Sequence, residues 1–286
     1  MKKIKVTEMF YSVQGEGRFT GAPSVFLRTY GCNFECRGFS MPEGQKTDEP
    51  ERILASIDLS TIKHISELPL SSTGCDSYVS WHPKVKHLAE TIEIEELAQR
   101  LVDLTPNKSF SGIDLVITGG EPLLGWQKAY PALLDILFKR HHLSSVTFET
   151  NGTQKLVPEF EDYIKDKFFQ FHFSVSAKLS CSGHTAEEAI KPEVLEQYVG
   201  TLAMVDLKFV VDPNQENSIQ EIKDTIKKYQ EGKSYQAFDI VYLMPEGGVG
   251  QTYEANASKV AKIALENGWH FSPRLQVPLF KNEWGT

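Results

Sequence analysis

Short apolar runs alternate with amphipathic segments from about residue 90 onward. The runs at 113–117, 145–148, 171–176, 204–211 and 239–244 have the length and apolar content of buried strands. Strands separated by helices pair in parallel through right-handed crossovers. The pattern therefore predicts an α/β sheet that is either doubly wound or curled into a full or partial barrel.

Two helices of this alternation can be delimited from the sequence. The helix over 218–231 begins with Ser218 and Glu221, whose spacing predicts a capping box. The helix over 254–267 is predicted to end at Gly268, a typical residue after a helix end.

Polar groups follow the ends of four predicted strands. They are TGGEP at 118–122, ETNGT at 149–153, SAK at 176–178 and MPEGG at 244–248. Any one of them could simply mark a turn. Because the carboxyl ends of parallel strands meet at one edge of a sheet or barrel, four in succession favour a shared site.

Residues 37–74 do not follow the alternation. They combine polar stretches such as GQKTDEPER with one apolar stretch around 53–65. We interpret them as an insertion with one helix in a chain, 1–286, that otherwise forms a single domain.

Composition narrows the class of function. The 286 residues include 30 basic and 38 acidic side chains, a formal charge of −8, which argues against broad affinity for nucleic acid or anionic membranes and favours a small-molecule substrate. The sequence shows neither the apolar run of a signal peptide nor that of a membrane span, so we expect a cytoplasmic protein.

The cysteines indicate metal or redox chemistry. Cys32 and Cys36 lie close together, and four cysteines in a reducing compartment rarely form disulfides. The next position at which a ligand is expected holds Phe39, which cannot bind a metal. Either the site is dead or a third thiolate comes from elsewhere in the chain, and Cys75 of TGCDS is the candidate.

Two plainer interpretations of these cysteines stay open at this point. The thiols could be free, or they could form a structural zinc site together with His82 or His87.

Two stretches carry a resemblance to a known family. FYSVQGEGRFTGAPSVFLRTYGCNFEC at 10–36 and CDS at 75–77 resemble the radical S-adenosylmethionine (SAM) superfamily and, within it, the 7-carboxy-7-deazaguanine synthase family. The cluster loop of that family usually reads CxxxCxxC and continues as Asp-Thr. The resemblance implies a partial (βα)6 TIM-like barrel and a 4Fe-4S cluster on Cys32, Cys36 and Cys75.

This ligand set places 38 residues, 37 through 74, between the second and third cysteines. Lengthening a loop this much costs roughly 2 kcal/mol, because closure entropy grows only logarithmically. Metal binding to thiolates is worth on the order of 10 kcal/mol, so the insertion is affordable. Three thiolates leave one iron open, which the resemblance assigns to SAM, and Cys181 is expected to be an ordinary thiol.

The resemblance also implies the other site residues. The SAM contacts would be Gly119, Gly120, Glu121, Glu149, Ser176 and Lys178; the pterin contacts would be Val13, Gln14, Glu16, Arg28, Thr118 and Gln276. Ser77 would hold Mg²⁺ with the substrate carboxylate. Ala177 replaces the usual proline of the SAK loop, and the tail KNEWGT departs from the family's ending.

The implied reaction is the radical ring contraction of 6-carboxy-5,6,7,8-tetrahydropterin to 7-carboxy-7-deazaguanine with loss of ammonia. An electron donor such as flavodoxin and a possible homodimer are the expected partners. The rivals are another radical SAM enzyme, such as a glycyl-radical activase, and a zinc-stabilised binding module without catalysis.

Overall fold

Nine strands are present in the computed structural model, which describes residues 2–167, 169–215, 217–233, 235–247 and 250–286. The strands are β1 Lys3–Val13, β2 Pro23–Thr29, β3 Glu90–Glu93, β4 Asp114–Gly119, β5 Ser145–Thr150, β6 Gln170–Val175, β7 Met204–Val211, β8 Ile240–Pro245 and β9 His270–Phe271. They form one sheet in the order β3-β1-β2-β4-β5-β6-β7-β8-β9. All five strands predicted from the apolar runs are confirmed.

Parallel pairing dominates this sheet. β1 runs antiparallel to β2 and β3, whereas β2 pairs in parallel with β4, and each later strand pairs in parallel with the next. The six longer parallel strands, β2 and β4 to β8, confirm the expected α/β partial barrel. Their side chains are almost all buried, because helices cover parallel sheets.

Nine α-helices occur among the described residues. They are α1 Glu49–Ala55, α2 Ile94–Leu104, α3 Tyr130–His141, α4 Pro158–Asp166, α5 Ala186–Ala189, α6 Pro192–Val199, α7 Ser218–Gln230, α8 Gly250–Glu266 and α9 Gln276–Phe280. None of the helices in this part of the chain is both long enough and apolar enough to cross a membrane.

The two delimited helices are found close to their predicted positions. Gly268, with φ +68°, follows α8 and confirms its predicted end. The prediction of a capping box at the start of α7 is wrong. The Ser218 hydroxyl donates to the carbonyls of Asp212 and Gln215, and the Glu221 carboxylate accepts from Ser180 of a neighbouring loop.

The sheet is strongly curled. In a flat sheet β1 and β7 would lie about 24 Å apart, because neighbouring strands are about 4.8 Å apart. Glu16, three residues beyond the end of β1, nevertheless forms an ion pair with Lys208 of β7. Gly17 also donates to the hydroxyl of Ser272, just after β9. The loop after β1 therefore crosses the inside of the curve.

Residues 37–74 contain α1 and a 3-10 turn at Ile65–Glu67. Their buried Leu54, Ile65 and Leu68 pack with Tyr78, Val79 and Val85 in a cluster separate from the main core. Trp284 packs against this cluster, and its indole N–H donates to the carbonyl of Leu68 at 2.8 Å. We refer to it below as the small core.

Candidate active site

A cavity of about 260 Å³ opens at the carboxyl ends of the parallel strands. The four polar clusters that follow strands in the sequence all contribute to its wall, as predicted. With the exception of Glu121, every site residue implied by the resemblance lines it: Val13, Gln14, Glu16, Arg28, Cys32, Cys36, Cys75, Ser77, Thr118, Gly119, Gly120, Glu149, Ser176, Lys178 and Gln276.

The base of the 37–74 segment is closed by hydrogen bonds. Gly74 N–H donates to the carbonyl of Phe39 at 2.7 Å, and Thr47 N–H donates to that of Arg37 at 2.8 Å. The hydroxyls of Thr47 and Thr73 lie 2.7 Å apart. The chain thus leaves the cysteine loop at position 39 and returns beside it, so that Cys75 lines the same cavity as Cys32 and Cys36.

The three cavity thiols are electrostatically coupled. The pKa of Cys32 is raised to about 12, chiefly by burial; the backbone N–H of Phe34 opposes the shift, and the charges of Glu121 and Cys75 add to it. Burial likewise raises the pKa of Cys36 and of Cys75. Thiols in such surroundings stay protonated and inert until a metal replaces the protons. This donor set fits an iron-sulfur cluster, which takes thiolate ligands.

Cys181 lies apart from the other three. It is buried and its thiol faces the carbonyl of Val210 at 3.7 Å, and it does not line the cavity. The cavity therefore offers three cysteines rather than four, as the resemblance implies.

The zinc alternative lacks its ligand set. A zinc site needs four ligands within about 2.3 Å of one ion. Over the residues placed in the structure, no three His, Cys, Asp or Glu side chains could hold a single metal ion. His82 accepts the N–H of Lys84 through Nδ1, His87 is exposed, and neither lines the cavity. In a cluster each iron needs only one thiolate, so the cysteines need not converge on one ion.

The double glycine at the end of β4 packs against the cysteine loop. A Cβ at Gly119 would lie 2.2 Å from the carbonyl oxygen of Thr29, and one at Gly120 would lie 2.4 Å from that of Gly31. Gly119 also has φ +139°, a conformation that favours glycine. These glycines are needed for close approach of β4 to the loop that carries Cys32.

Glu121 is the implied SAM contact that does not line the cavity. Its side chain is fully buried behind the cavity wall and accepts hydrogen bonds from the hydroxyl of Thr150 and from the backbone N–H groups of Asn151 and Leu123. Burial raises its pKa to about 7. The carboxylate therefore joins β4 to the end of β5.

The predicted SAM side of the cavity contains a short polar row. Glu149 accepts a hydrogen bond from the Gln14 amide at 3.3 Å, and Lys178 donates to the hydroxyl of Ser176 at 3.0 Å. The ammonium of Lys178 lies 5.9 Å from the centre of the Phe39 ring. Phe39, which occupies the position of an expected ligand, thus makes a cation–π contact with a lysine that lines the cavity.

The predicted pterin side is built around Glu16. Burial alone would raise its pKa, but the charges of Lys208 and Arg274 outweigh burial and lower the pKa to about 2. Gln276 donates to the same carboxylate at 2.7 Å, while its own buried Oε1 has no hydrogen-bond partner among the described residues. A Cβ at Gly15 would lie 2.1 Å from that Oε1 and 3.3 Å from the backbone N of Leu275, so a larger residue there would displace the Gln276 side chain.

Sequence reasoning missed Lys208, Arg274 and Glu8. Lys208 and Arg274 pair with Glu16, and Glu8 accepts from Nε of Arg28 at 3.1 Å. Lys208 lies inside a predicted strand, and its charge amid apolar residues was the available signal. Nη1 of Arg28 also donates to the Ser77 hydroxyl at 3.1 Å.

A partial barrel with three cysteine thiols at the carboxyl ends of its strands defines the chain as a radical SAM enzyme. A curated 7-carboxy-7-deazaguanine synthase from Halobacterium salinarum is 30% identical over 98% of this chain and 91% of its own length. The chain belongs to the 7-carboxy-7-deazaguanine synthase family.

Other comparisons agree with this assignment. A synthase of the same name from Rhodopirellula baltica is 27% identical over 99% of this chain and 89% of its own length. The crystal structure of QueE from Escherichia coli has the same fold, with a TM-score of 0.52 and 20% identity over 94% of this chain and 93% of that one. No protein-family model matches the sequence.

Proposed function

We propose that the protein catalyses the radical ring contraction of 6-carboxy-5,6,7,8-tetrahydropterin to 7-carboxy-7-deazaguanine with release of ammonia. The observation that carries this proposal is that Cys32, Cys36 and Cys75 line the same cavity as the polar group around Glu16. The family membership of the chain supports the same reaction.

Cys32, Cys36 and Cys75 would hold a 4Fe-4S cluster, with SAM at the open iron. The bound cluster and SAM would supply one-electron cleavage of SAM and hydrogen-atom abstraction from the substrate. The protein itself would bind and orient the two molecules and exclude water from the cavity. Glu149, Ser176 and Lys178 are our candidates for the polar groups of SAM, because they line the same cavity as the thiols and Lys178 donates to the Ser176 hydroxyl.

We assign the pterin contacts to the polar group around Glu16. Glu16 stays ionised because Lys208 and Arg274 surround it, so its carboxylate can accept two N–H bonds from the edge of a pterin ring. Gln14 and the unpartnered Oε1 of Gln276 add further polar atoms at that edge. Thr118 and Val13 complete the wall.

Arg28 is our candidate for the substrate carboxylate, and Ser77 for Mg²⁺. Arg28 uses Nε for Glu8 and Nη1 for Ser77. Nη1 of Arg28 lies 3.1 Å from the Ser77 hydroxyl, so the two side chains could bind neighbouring groups: Arg28 would hold the substrate carboxylate and Ser77 would hold Mg²⁺ beside it. Ser77→Ala should then remove any stimulation by Mg²⁺ while leaving SAM cleavage without substrate in place.

The remaining assignments are also proposals. Residues 37–74 are an insertion in the cluster loop of one domain, the reductant is a flavodoxin-like donor, and the protein works in the cytoplasm as a homodimer. Analytical ultracentrifugation of the purified protein tests the last of these.

The decisive experiment is turnover by anaerobically reconstituted protein with the pterin, SAM and a reductant. A product with the mass of 7-carboxy-7-deazaguanine supports the proposal. SAM cleavage without that product would favour another radical SAM activity, such as glycyl-radical activation. Zinc near one per chain with no bound iron would favour a binding module.

A further inference from the structure

Arg274 is a buried cation where two parts of the cavity meet. It follows β9, and only 9% of its side chain is exposed. Burying a guanidinium is costly unless it is paired with anions and hydrogen-bond acceptors. The groups that pair with Arg274 therefore show which parts of the molecule it holds together.

The first partner is the residue after the third cavity cysteine. Nη2 of Arg274 donates to Oδ2 of Asp76 at 2.5 Å, and Asp76 directly follows Cys75. Nη1 donates to the carbonyl of Gly247, in the loop after β8, at 3.0 Å. The backbone N–H of Arg274 donates to the Tyr253 hydroxyl at 3.2 Å. Asp76 is thus tied to the barrel and not to the small core.

The second partner is the carboxylate on the pterin side. Nε of Arg274 lies 3.5 Å from Oε1 of Glu16, which also pairs with Lys208. One guanidinium therefore spans the segment that carries Cys75 and the loop that carries Glu16. A displacement of either segment would therefore change the contacts of the other, because both bind the same guanidinium.

Cys75 needs an anchor of this kind more than the other two thiols do. Cys32 and Cys36 lie in one short loop, whose conformation fixes their separation. Cys75 returns after 38 residues, 37 through 74. Other hydrogen bonds near this segment include Gly74 N–H to Phe39, Arg28 to Ser77, and Gly31 N–H to the carbonyl of Ser80. None of these three joins it to the loop after β8.

We infer that Arg274 is a positioning residue that fixes Cys75 relative to Cys32 and Cys36 through Asp76. The inference rests on the proposed function, because it treats Cys75 as the third cluster ligand. Arg274 touches no reacting atom in this assignment. It acts through Asp76 on the thiol and through Glu16 on the pterin side.

The first test uses the metal-free protein and needs no activity. Cysteines are labelled with a maleimide, and the rate at each thiol is measured by peptide mass spectrometry. In Arg274→Met and Asp76→Asn the labelling rate of Cys75 relative to Cys181 should rise by about tenfold, the effect of losing a charge-assisted hydrogen bond. Arg274→Lys keeps the charge and should fall between these variants and the unmodified protein.

The second test uses reconstituted protein. Arg274→Met should bind less iron per chain and should lose the change in the electron paramagnetic resonance spectrum that SAM causes. Asp76→Asn, whose side chain is 40% exposed, is the milder variant if Arg274→Met folds poorly. The matched control is Leu133→Ala, which removes a fully buried side chain of α3 away from the cavity.

Leu133→Ala should lower the melting temperature without changing the labelling ratio of Cys75 to Cys181. If Arg274→Met and Asp76→Asn behave like this control, Arg274 supports only the fold and the inference is overturned. If the labelling ratio rises as expected but the unmodified enzyme makes no 7-carboxy-7-deazaguanine, the positioning of Cys75 stands and the proposed function fails.

Discussion

The main core of the barrel and the small core beside it are built in different ways. The main core takes residues from every long parallel strand and from the helices that cover them, in regular alternation. The small core joins residues of α1, a 3-10 turn and the segment 78–85, with Trp284 packed against it. Regular packing follows from local patterns, whereas the small core depends on contacts between distant segments. The third proposed ligand, Cys75, lies where the two regions meet.

The largest expected effect is a difference in SAM cleavage between the alanine substitutions of Cys75 and Cys181. Cys75→Ala should abolish SAM cleavage by reconstituted protein, because two thiolates cannot replace three in holding the cluster. Cys181→Ala should leave cleavage largely intact, since that thiol lies outside the cavity. Release of 5′-deoxyadenosine, measured by chromatography, checks both. The opposite pattern would overturn the ligand assignment.

A second variant tests whether the hydrogen bonds at the base of the 37–74 segment place position 39 beside Cys75. Phe39→Cys introduced into Cys75→Ala should restore part of the iron binding, because position 39 lines the same cavity and its carbonyl accepts from Gly74. Iron per chain is the measurement. Phe39→Ser in the same background is the control and should restore none.

Paired core substitutions compare the two regions directly. Leu133→Ala in the main core should lower the free energy of unfolding of the whole domain by about 2–5 kcal/mol. Leu54→Ala in the small core removes a side chain that is also buried, but it should mainly open residues 37–74. Hydrogen exchange resolves the difference. Equal loss of protection throughout the chain in both variants would show that the two cores unfold as one.

The smallest effect is a pH dependence. The pKa of Glu16 is about 2, below its ordinary value of 4.5, so its ion pairs contribute stability that is present above about pH 4.5 and is lost as the pH falls toward 2. Lys208→Met removes a charge that lowers this pKa, so the loss of stability below about pH 4.5 should be smaller and should be complete at a higher pH. Thermal melting between pH 3 and pH 7 measures the shift. Identical profiles for Lys208→Met and the unmodified protein would contradict this account of Glu16.

The sequence predicted the strands of the barrel better than it predicted the side chains that hold the site residues in place. The strands and the end of α8 follow from apolar periodicity and from one glycine, which are local signals. In the 37–74 segment one helix was predicted without bounds; α1 covers Glu49–Ala55, and a separate turn covers Ile65–Glu67. No regular period marks that backbone.

The contacts of individual side chains were harder to foresee. Motif residues such as Glu16 and Arg28 were found because their spacing is distinctive, and they line the cavity. Glu121 lies behind the cavity wall, and Glu221 bonds to Ser180. Arg274 pairs with a residue 198 positions earlier in the chain. Such partners are set by the three-dimensional arrangement, which no local pattern encodes.

The bond between Trp284 and Leu68 has a consequence for synthesis of the protein. The two residues are 216 positions apart, so roughly 10 to 40 seconds of synthesis separate the leucine from the tryptophan. During that interval the apolar side chains of the small core lack the ring that packs against them. We therefore expect the small core to close after the strands of the barrel, all of which precede the tryptophan, have been made.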